Sequence, residues 1–396
     1  MKILYIHQYF NTPEESAATR SYWISRELVK RGHEVIMLCS TQKHKSGIMN
    51  IDGIEVHYLP NKYSNYMSRL QKVRSFTAFM IKAIREGSKQ KDIDLVFATS
   101  TPLSIGAIAL WLNKFKKFPY VFEVRDLWPE FPIQIGAIRN KYLINILRKF
   151  ERSIYKNARH VIALSPGMAN GVKAAGTPDN KISMIPNMSK SDCFFQHPKD
   201  ISIASKFGID LNKFNIIHFG SMGVANGLDY LIKVAEYLKN DNVDVIFMGT
   251  GATEPMLKDT AEQKKLKNVK FLGDHSMATV MEVVNCCDLS VVSFMDLPIL
   301  ATNSPNKLFD SLSAGIPVAV NSNGWTKDLV ENGDCGFYAD VNNPMDFATK
   351  IREVKDNKEL LARWGKNARI ISETKYDKSI LCPQVAEVLE NALSNT

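Results

Sequence analysis

Several things are scarce in this 396-residue chain, and each scarcity narrows what it does. There are six cysteines, at positions 39, 193, 286, 287, 335 and 382. None forms a CxxC pair or a metal-ligand spacing, which excludes a zinc ribbon, a thioredoxin-like centre and a disulfide scaffold. Cys286 and Cys287 lie in an apolar run and read as small core residues of a reducing compartment. Long apolar runs are missing as well: "PLSIGAIALWLN" is too short to span a bilayer. The opening "MKILYIHQYF" has no apolar h-region or cleavage pattern, so it reads as a strand and not as a signal peptide. Acid is scarce in one half only. Residues 1–199 hold 30 Lys and Arg against 15 Asp and Glu, whereas residues 200–396 hold 20 against 26. A basic half joined to an acidic half predicts that one domain meets an anionic surface or polymer and the other does not.

What is present is an alternation. "KILYIHQYF", "HEVIMLCS", "DLVFATS", "YVFEVRD" and "HVIALS" are short, continuously apolar strands with helical segments between them, such as "TRSYWISRELVKRG". That pattern predicts an α/β fold whose parallel sheet is covered on both faces. Residues 188–213 are polar and irregular, and the alternation then restarts with "FNIIHFGS", "VDVIFMGTG", "VKFLGD", "DLSVVSF" and "IPVAVNS". Two Rossmann-like domains are expected, at 1–195 and 196–375. The helix 376–396 is free to cross back to the first. Ligands of such sheets bind outside the carboxyl ends of the strands, so two facing domains predict a ligand cleft.

Glycines stand just after the strands of the second half: Gly220, Gly249, Gly251 and Gly273. Downstream, "ATNSPNKLFDSLSAGIP" reads as a capped helix, with Ser304 as N-cap, Pro305 at the first helical position, Lys307 in the first turn and Asp310 three residues on. A helix start with a lysine in its first turn suits a phosphate group. In "FEVRDLWPE", Glu123, Arg125 and Asp126 fall at a strand end, where charge is poorly placed to be core. His7 ends the first strand and reads as a structural histidine. Asp92 and Asp94 spell "DID" but read as solvated loop residues, so no metal is expected. Along residues 63–91, Leu70, Val73, Phe76, Met80 and Ile84 share one helical arc, and Arg74, Lys82, Arg85 and Lys89 another. Such a basic amphipathic helix fits an anionic membrane surface, and equally a helix packed on its own domain.

In order and spacing these glycines and "KLFDSLSAGIPVAV" resemble the nucleotide-sugar-binding domain of family 4 glycosyltransferases, retaining enzymes of the two-domain GT-B fold. "ELVKRGHEV", "ARHVIALSPGM" and "KISMIPNMS" resemble that family's first domain. "FEVRDLWPE", "SPNKLFD" and "FGSMGVANGLDYL" are similar to the subgroup that includes bacterial N-acetyl-L-fucosamine transferases of O-antigen and capsule assembly. The resemblance implies that the helix from Ser304 receives the donor diphosphate, Lys307 neutralises it and Asp310 accepts from the ribose hydroxyls. Asp310 occupies the second Glu of the family's E-x7-E pair; the first falls at Thr302, leaving Thr302 and Asn303 only hydroxyl, amide and backbone groups to offer. The family's paired glycines fall at Ala17 and Ala18, and its diphosphate-binding Arg and Lys near Ser221 and Asn226. Lys307, helped by Arg20 across the cleft, then carries more of the charge. Glu123, Arg125 and Asp126 are expected on the acceptor side.

The implied activity is transfer of an N-acetylated hexosamine or deoxyhexosamine from a UDP-sugar to a polyprenyl-diphosphate-linked saccharide, without a cofactor or nucleic acid, on the cytoplasmic face of the bacterial inner membrane. A UDP-sugar 2-epimerase of the same architecture and a non-catalytic transferase subunit stay open from the sequence.

Overall fold

A computed structural model describes residues 1–396 except 16–18, 42, 43, 45, 64–66, 395 and 396. The chain divides into two units. The first comprises Met1–Pro13, Ala18–Pro186 and Ser379–Thr396, the second Glu14–Ala17 and Asn187–Lys378. The main boundary thus falls at 186/187, before the polar segment that marked it in the sequence.

The first unit holds strands β1 (Lys2–Ile6), β2 (Glu34–Thr41), β3 (Gly47–Ile51), β4 (Ile54–Pro60), β5 (Leu95–Thr99), β6 (Tyr120–Val124), β7 (His160–Ala163) and β8 (Ile182–Met184). They form one sheet in the order β3-β4-β2-β1-β5-β6-β7-β8. Every pairing is parallel except β3 with β4. Its helices are α1 (Arg20–Lys30), α2 (Arg69–Lys89), α3 (Ser104–Lys116), α4 (Glu130–Gln134), α5 (Lys141–Asn157) and α6 (Pro166–Ala174). All five residues of β5 and of β6 are buried, as expected of strands covered on both faces.

In the second unit, α7 (Ile201–Lys206), β9 (Phe214–Phe219), α8 (Asp229–Tyr237), β10 (Val243–Met248), α9 (Glu254–Gln263), β11 (Val269–Gly273), α10 (Met277–Asn285) and β12 (Leu289–Val292) come first. They are followed by α11 (Asn306–Ser313), β13 (Val318–Val320), α12 (Trp325–Asn332), β14 (Gly336–Tyr338), α13 (Pro344–Val354) and α14 (Lys358–Ile371). The wholly parallel sheet has the order β11-β10-β9-β12-β13-β14. Two clusters of buried apolar side chains cover β9 and β10; one of them holds Cys286 and Cys287, both free thiols packed as small hydrophobes.

The last helix, α15 (Lys378–Ser394), lies almost wholly in the first unit. Its Glu390 takes hydrogen bonds from Arg31 at 3.1 Å and His33 at 2.8 Å.

Strand order reverses between β1 and β5 in one sheet and between β9 and β12 in the other. These are the places where the carboxyl ends of a doubly wound sheet leave a crevice for ligand.

Helix α2 corrects the arc read from the sequence. Its buried line is Ser75, Phe79 and Ala83, at i, i+4 and i+8, against β2, β4 and α3. Phe76, Met80 and Ile84 flank that line half-buried, but Leu70 and Val73 are 60% and 59% exposed, beside Arg74 and Arg85. Lys82 donates to the Pro60 carbonyl and Lys89 pairs with Glu86 at 2.7 Å, so the four expected membrane cations are not equivalent.

Candidate functional site

In the second unit the site grows from three strand ends. Gly220 follows β9 with φ 99°, and Gly249 follows β10 with φ 129°. A Cβ at Gly249 would lie 2.1 Å from the Gly220 carbonyl oxygen, so the two strand ends approach more closely than any side chain permits. Gly273 closes β11, and its carbonyl accepts from Gly249 N–H at 2.6 Å. After Gly220 the chain makes a tight loop, in which Asn226 Nδ2 donates to the Ser221 carbonyl at 2.9 Å.

Into this loop reaches Lys307. Its Nζ lies 3.1 Å from His218 Nε2 and 3.3 Å from Asn226 Oδ1. His218 is buried in β9, with Nδ1 3.2 Å from the Val291 carbonyl. A carbonyl only accepts, so Nδ1 carries the proton and Nε2 is the acceptor for the ammonium. Burial and then the Lys307 charge hold the imidazole well below its ordinary pKa, which keeps it neutral. Burial also lowers Lys307 from the usual lysine range to about 7. An ammonium has three N–H groups; two are engaged here, and the third can meet an anion.

The rest of the helix start departs from expectation. Helix α11 begins at Asn306, with Pro305 as an N-cap that offers no side-chain hydrogen bond. Ser304 is therefore not the cap. Its Oγ instead accepts from Asn187 N–H at 3.1 Å, and its carbonyl accepts from Asn187 Nδ2. Thr302 spends its hydroxyl on the Ile299 carbonyl at 2.7 Å, and the Asn303 carbonyl accepts from Trp325 Nε1 at 2.6 Å.

Asp310 is 1% exposed and lies 2.6 Å from Nζ of Lys190, itself 3% exposed. The expected ribose contact is thus replaced by an internal ion pair. Burial raises the Asp310 carboxyl, and Lys190 opposes the rise. Ala17 and Ala18 lie outside the described residues.

In the first unit, Arg20 and Glu123 correct the sequence reading together. Arg20 Nε donates to Glu123 Oε1 at 2.9 Å with both side chains buried, and the guanidinium also donates to the carbonyls of Pro186 and Ile185. Thr99 Oγ1 donates to Glu123 Oε2 at 3.0 Å. Neither charge is left for a donor or an acceptor.

Arg125 and Asp126 stay half-buried at the end of β6 and are joined there by His7. Arg125 Nη1 lies 3.5 Å from His7 Nε2, and His7 Nδ1 2.8 Å from Ser21 Oγ. A guanidinium only donates, so His7 keeps its proton on Nδ1. Burial and the Arg125 charge depress the imidazole well below its ordinary value. Asp126 Oδ2 accepts from Thr101 Oγ1 at 2.7 Å, and burial raises this carboxyl despite Thr101 and Arg125. A cation beside a carboxyl of raised pKa, at the carboxyl end of a switch-point sheet, can hold an anion and accept from a hydroxyl.

His218 and Lys190 were missed in the sequence. The first had a signal, a histidine one residue before the carboxyl end of the otherwise mostly apolar strand "FNIIHF". The second had none.

Known proteins share this fold and its two domains. Residues 17–188 match a family model described as glycosyl transferase 4-like domain, and residues 200–370 one described as glycosyl transferases group 1. A relative from Pseudomonas aeruginosa, "Probable glycosyltransferase WbjE", is 21% identical over 86% of this chain and 85% of its own. The alpha-galactosylglucosyldiacylglycerol synthase of Streptococcus pneumoniae is 22% identical over 61% of this chain and 63% of its own. Among solved structures, HepE of Anabaena in complex with UDP and glucose has a TM-score of 0.74 at 19% identity, covering 98% of this chain and 99% of that one. WaaG, a glycosyltransferase involved in lipopolysaccharide biosynthesis, has 0.73 at 17% identity, covering 98% and 99%. With one transferase domain matched on each of its two mostly parallel sheets, the chain is a glycosyltransferase of the GT-B fold.

Proposed function

We propose that this glycosyltransferase moves an N-acetylated hexosamine or deoxyhexosamine, with retention, from a UDP-sugar to a polyprenyl-diphosphate-linked saccharide in bacterial surface-polysaccharide assembly. The observation that carries the reading is Lys307, held by His218 and Asn226 at the strand-end glycines with one N–H to spare. Negative charge grows on the donor diphosphate as the anomeric C–O bond breaks, so a fixed cation there stabilises the transition state more than the ground state. Retention then proceeds by same-face attack. The acceptor oxygen bonds to the anomeric carbon, the bond to the diphosphate oxygen breaks, and the acceptor proton passes to a departing phosphate oxygen.

HepE, of the same fold, was solved with UDP, which supports the UDP-linked donor, and the S. pneumoniae relative is named for a glycolipid product, which supports a lipid-linked acceptor in general. The two family models argue for transfer over the epimerase alternative. Incubation with UDP-, GDP- and dTDP-sugars, with and without lipid-linked acceptor, tests it: sugar consumed without an acceptor, and epimerised, would refute transfer.

Lys307 makes donor binding depend on pH in a definite direction. Without ligand its pKa is about 7, and an adjacent diphosphate raises it. The Lys307 contribution to UDP affinity is therefore fully present below pH 7 and weakens above it, because the proton must be taken up on binding. Calorimetry in buffers of different ionisation enthalpy should show that uptake at pH 8 and its loss in Lys307→Met.

Among the described residues no helix is long and apolar enough to cross a membrane. We place the protein as a peripheral one on the inner face of the cytoplasmic membrane, through the outer sides of α2 and α5. On α5, Tyr142 is 83% and Ile146 63% exposed, and residues 135–159 carry seven Lys and Arg against Glu151 alone. Apolar side chains ringed by cations bind anionic bilayers. The double variant Tyr142→Glu, Ile146→Glu should lose co-sedimentation with phosphatidylglycerol vesicles while keeping its circular dichroism. Equal sedimentation would remove α5 from the membrane contact.

A further inference from the structure

A cavity of about 920 Å³ lies within the first unit, away from Arg125 and Asp126 in sequence, at the carboxyl ends of β2 and β4 and against α2. Its volume is that of a small-molecule site. His44, Lys62, Arg74 and Lys82 line it, and among the described residues no Asp or Glu does. Carboxylates elsewhere in this unit neutralise Arg20, Arg31, Lys89 and Arg148. Here Lys62, Arg74 and Lys82 line the wall with no carboxylate among the described lining residues. The wall is fixed by a hydrogen-bonded chain: Asn61 Nδ2 donates to Ser75 Oγ at 3.1 Å, and Ser75 Oγ to the Lys62 carbonyl at 2.7 Å. Tyr63, stacked on Phe76 with centroids 5.4 Å apart, lines the cavity with Met67 and Ala78 and adds apolar surface beside the charge. The same helix turns Leu70, Val73 and Ile81 outward, all more than half exposed.

We propose that this cavity binds the diphosphate of an isoprenoid lipid, with its cations on the phosphates while the outward side of α2 lies among the acyl chains. This rests on the lipid-linked acceptor reading and adds to it the place where the lipid head is held. Three cations with no acid among the described lining residues suit a multiply charged phosphate and are wasted on a neutral glycolipid. An apolar strip on the same helix suits the tail. The ligand is thereby specified as both anionic and greasy.

The test uses the full-length protein with farnesyl diphosphate as a soluble probe, beside inorganic pyrophosphate, farnesol and UDP, followed by calorimetry. Wild type should bind farnesyl diphosphate more tightly than either pyrophosphate or farnesol. The double variant Lys62→Gln, Arg74→Gln should weaken that binding by roughly tenfold or more, as expected when two charge-assisted contacts are removed. Its UDP affinity should be unchanged, so that a failed donor reading and a failed cavity are told apart. A control with equal charge loss, Lys265→Gln with Lys267→Gln in the second unit, should leave farnesyl diphosphate binding intact. Equal affinity of wild type and the cavity variant overturns the proposal, as does an equal loss in the control, which would mean non-specific charge attraction. Pyrophosphate bound as tightly as farnesyl diphosphate would reduce the cavity to a phosphate site and overturn the lipid assignment.

Discussion

Replacing Lys307 by alanine should lower kcat/KM for glycosyl transfer by roughly 10²–10³, the scale for losing one preorganised electrostatic stabiliser. The reason lies in what surrounds it. The family resemblance implies that Ser221 and Asn226 stand near the diphosphate-binding Arg and Lys of that family, and Arg20 is committed to Glu123. Lys307 is then the cation that the strand-end loop presents, and His218 and Asn226 hold it without neutralising it, since both are uncharged. The deficit should appear in kcat more than in KM, because the charge it meets develops as the bond breaks. Lys307→Arg tests geometry separately: a guanidinium keeps the charge but not the fit between His218 and Asn226, so recovery should be partial. Wild-type activity in Lys307→Ala would remove this residue from the chemistry.

Asp310→Asn is expected to destabilise the second unit by about 3–5 kcal/mol, because it strands the Lys190 ammonium in the interior. Both side chains are nearly inaccessible, and they are 2.6 Å apart. Lys190 sits on a segment bonded repeatedly to α11: Ser189 Oγ donates to the Phe309 carbonyl and Lys190 N–H to Ser313 Oγ, each at 3.1 Å. Loss of the pair should therefore loosen the helix that carries Lys307. Lys190→Met with Asp310→Leu should recover much of the stability, since two apolar side chains replace a buried pair with little penalty. Urea unfolding of the three variants, with UDP binding on those still folded, makes the comparison. A double variant no better than Asp310→Asn would mean that the pair contributes more than mutual neutralisation. An Asp310→Asn protein as stable as wild type, with weakened UDP binding, would return Asp310 to the ribose.

Much of this was readable along the chain. Short apolar strands alternating with helices announced two parallel sheets, because a strand covered on both faces must be apolar throughout, and that signal is local. The strand-end glycines were readable for the same reason: Gly249 has to be glycine where its backbone meets that of Gly220. Lys307 could be singled out as a candidate from its place within "SPNKLFD". What a charged residue does once the chain has folded was not. Arg20 and Glu123 are 103 residues apart in sequence, and nothing around either names the other. Asp310 and Lys190 meet only because the segment after β8 runs along α11. On α2 the amphipathic pattern was plain, but which side faces inward was settled by the strands and the helix beneath it, and they chose Phe79 and Ala83 over Leu70 and Val73. Periodicity and turn chemistry are written in neighbouring residues. The partner of a charge, and hence whether it is free to meet a substrate, is a long-range property that only tertiary packing decides.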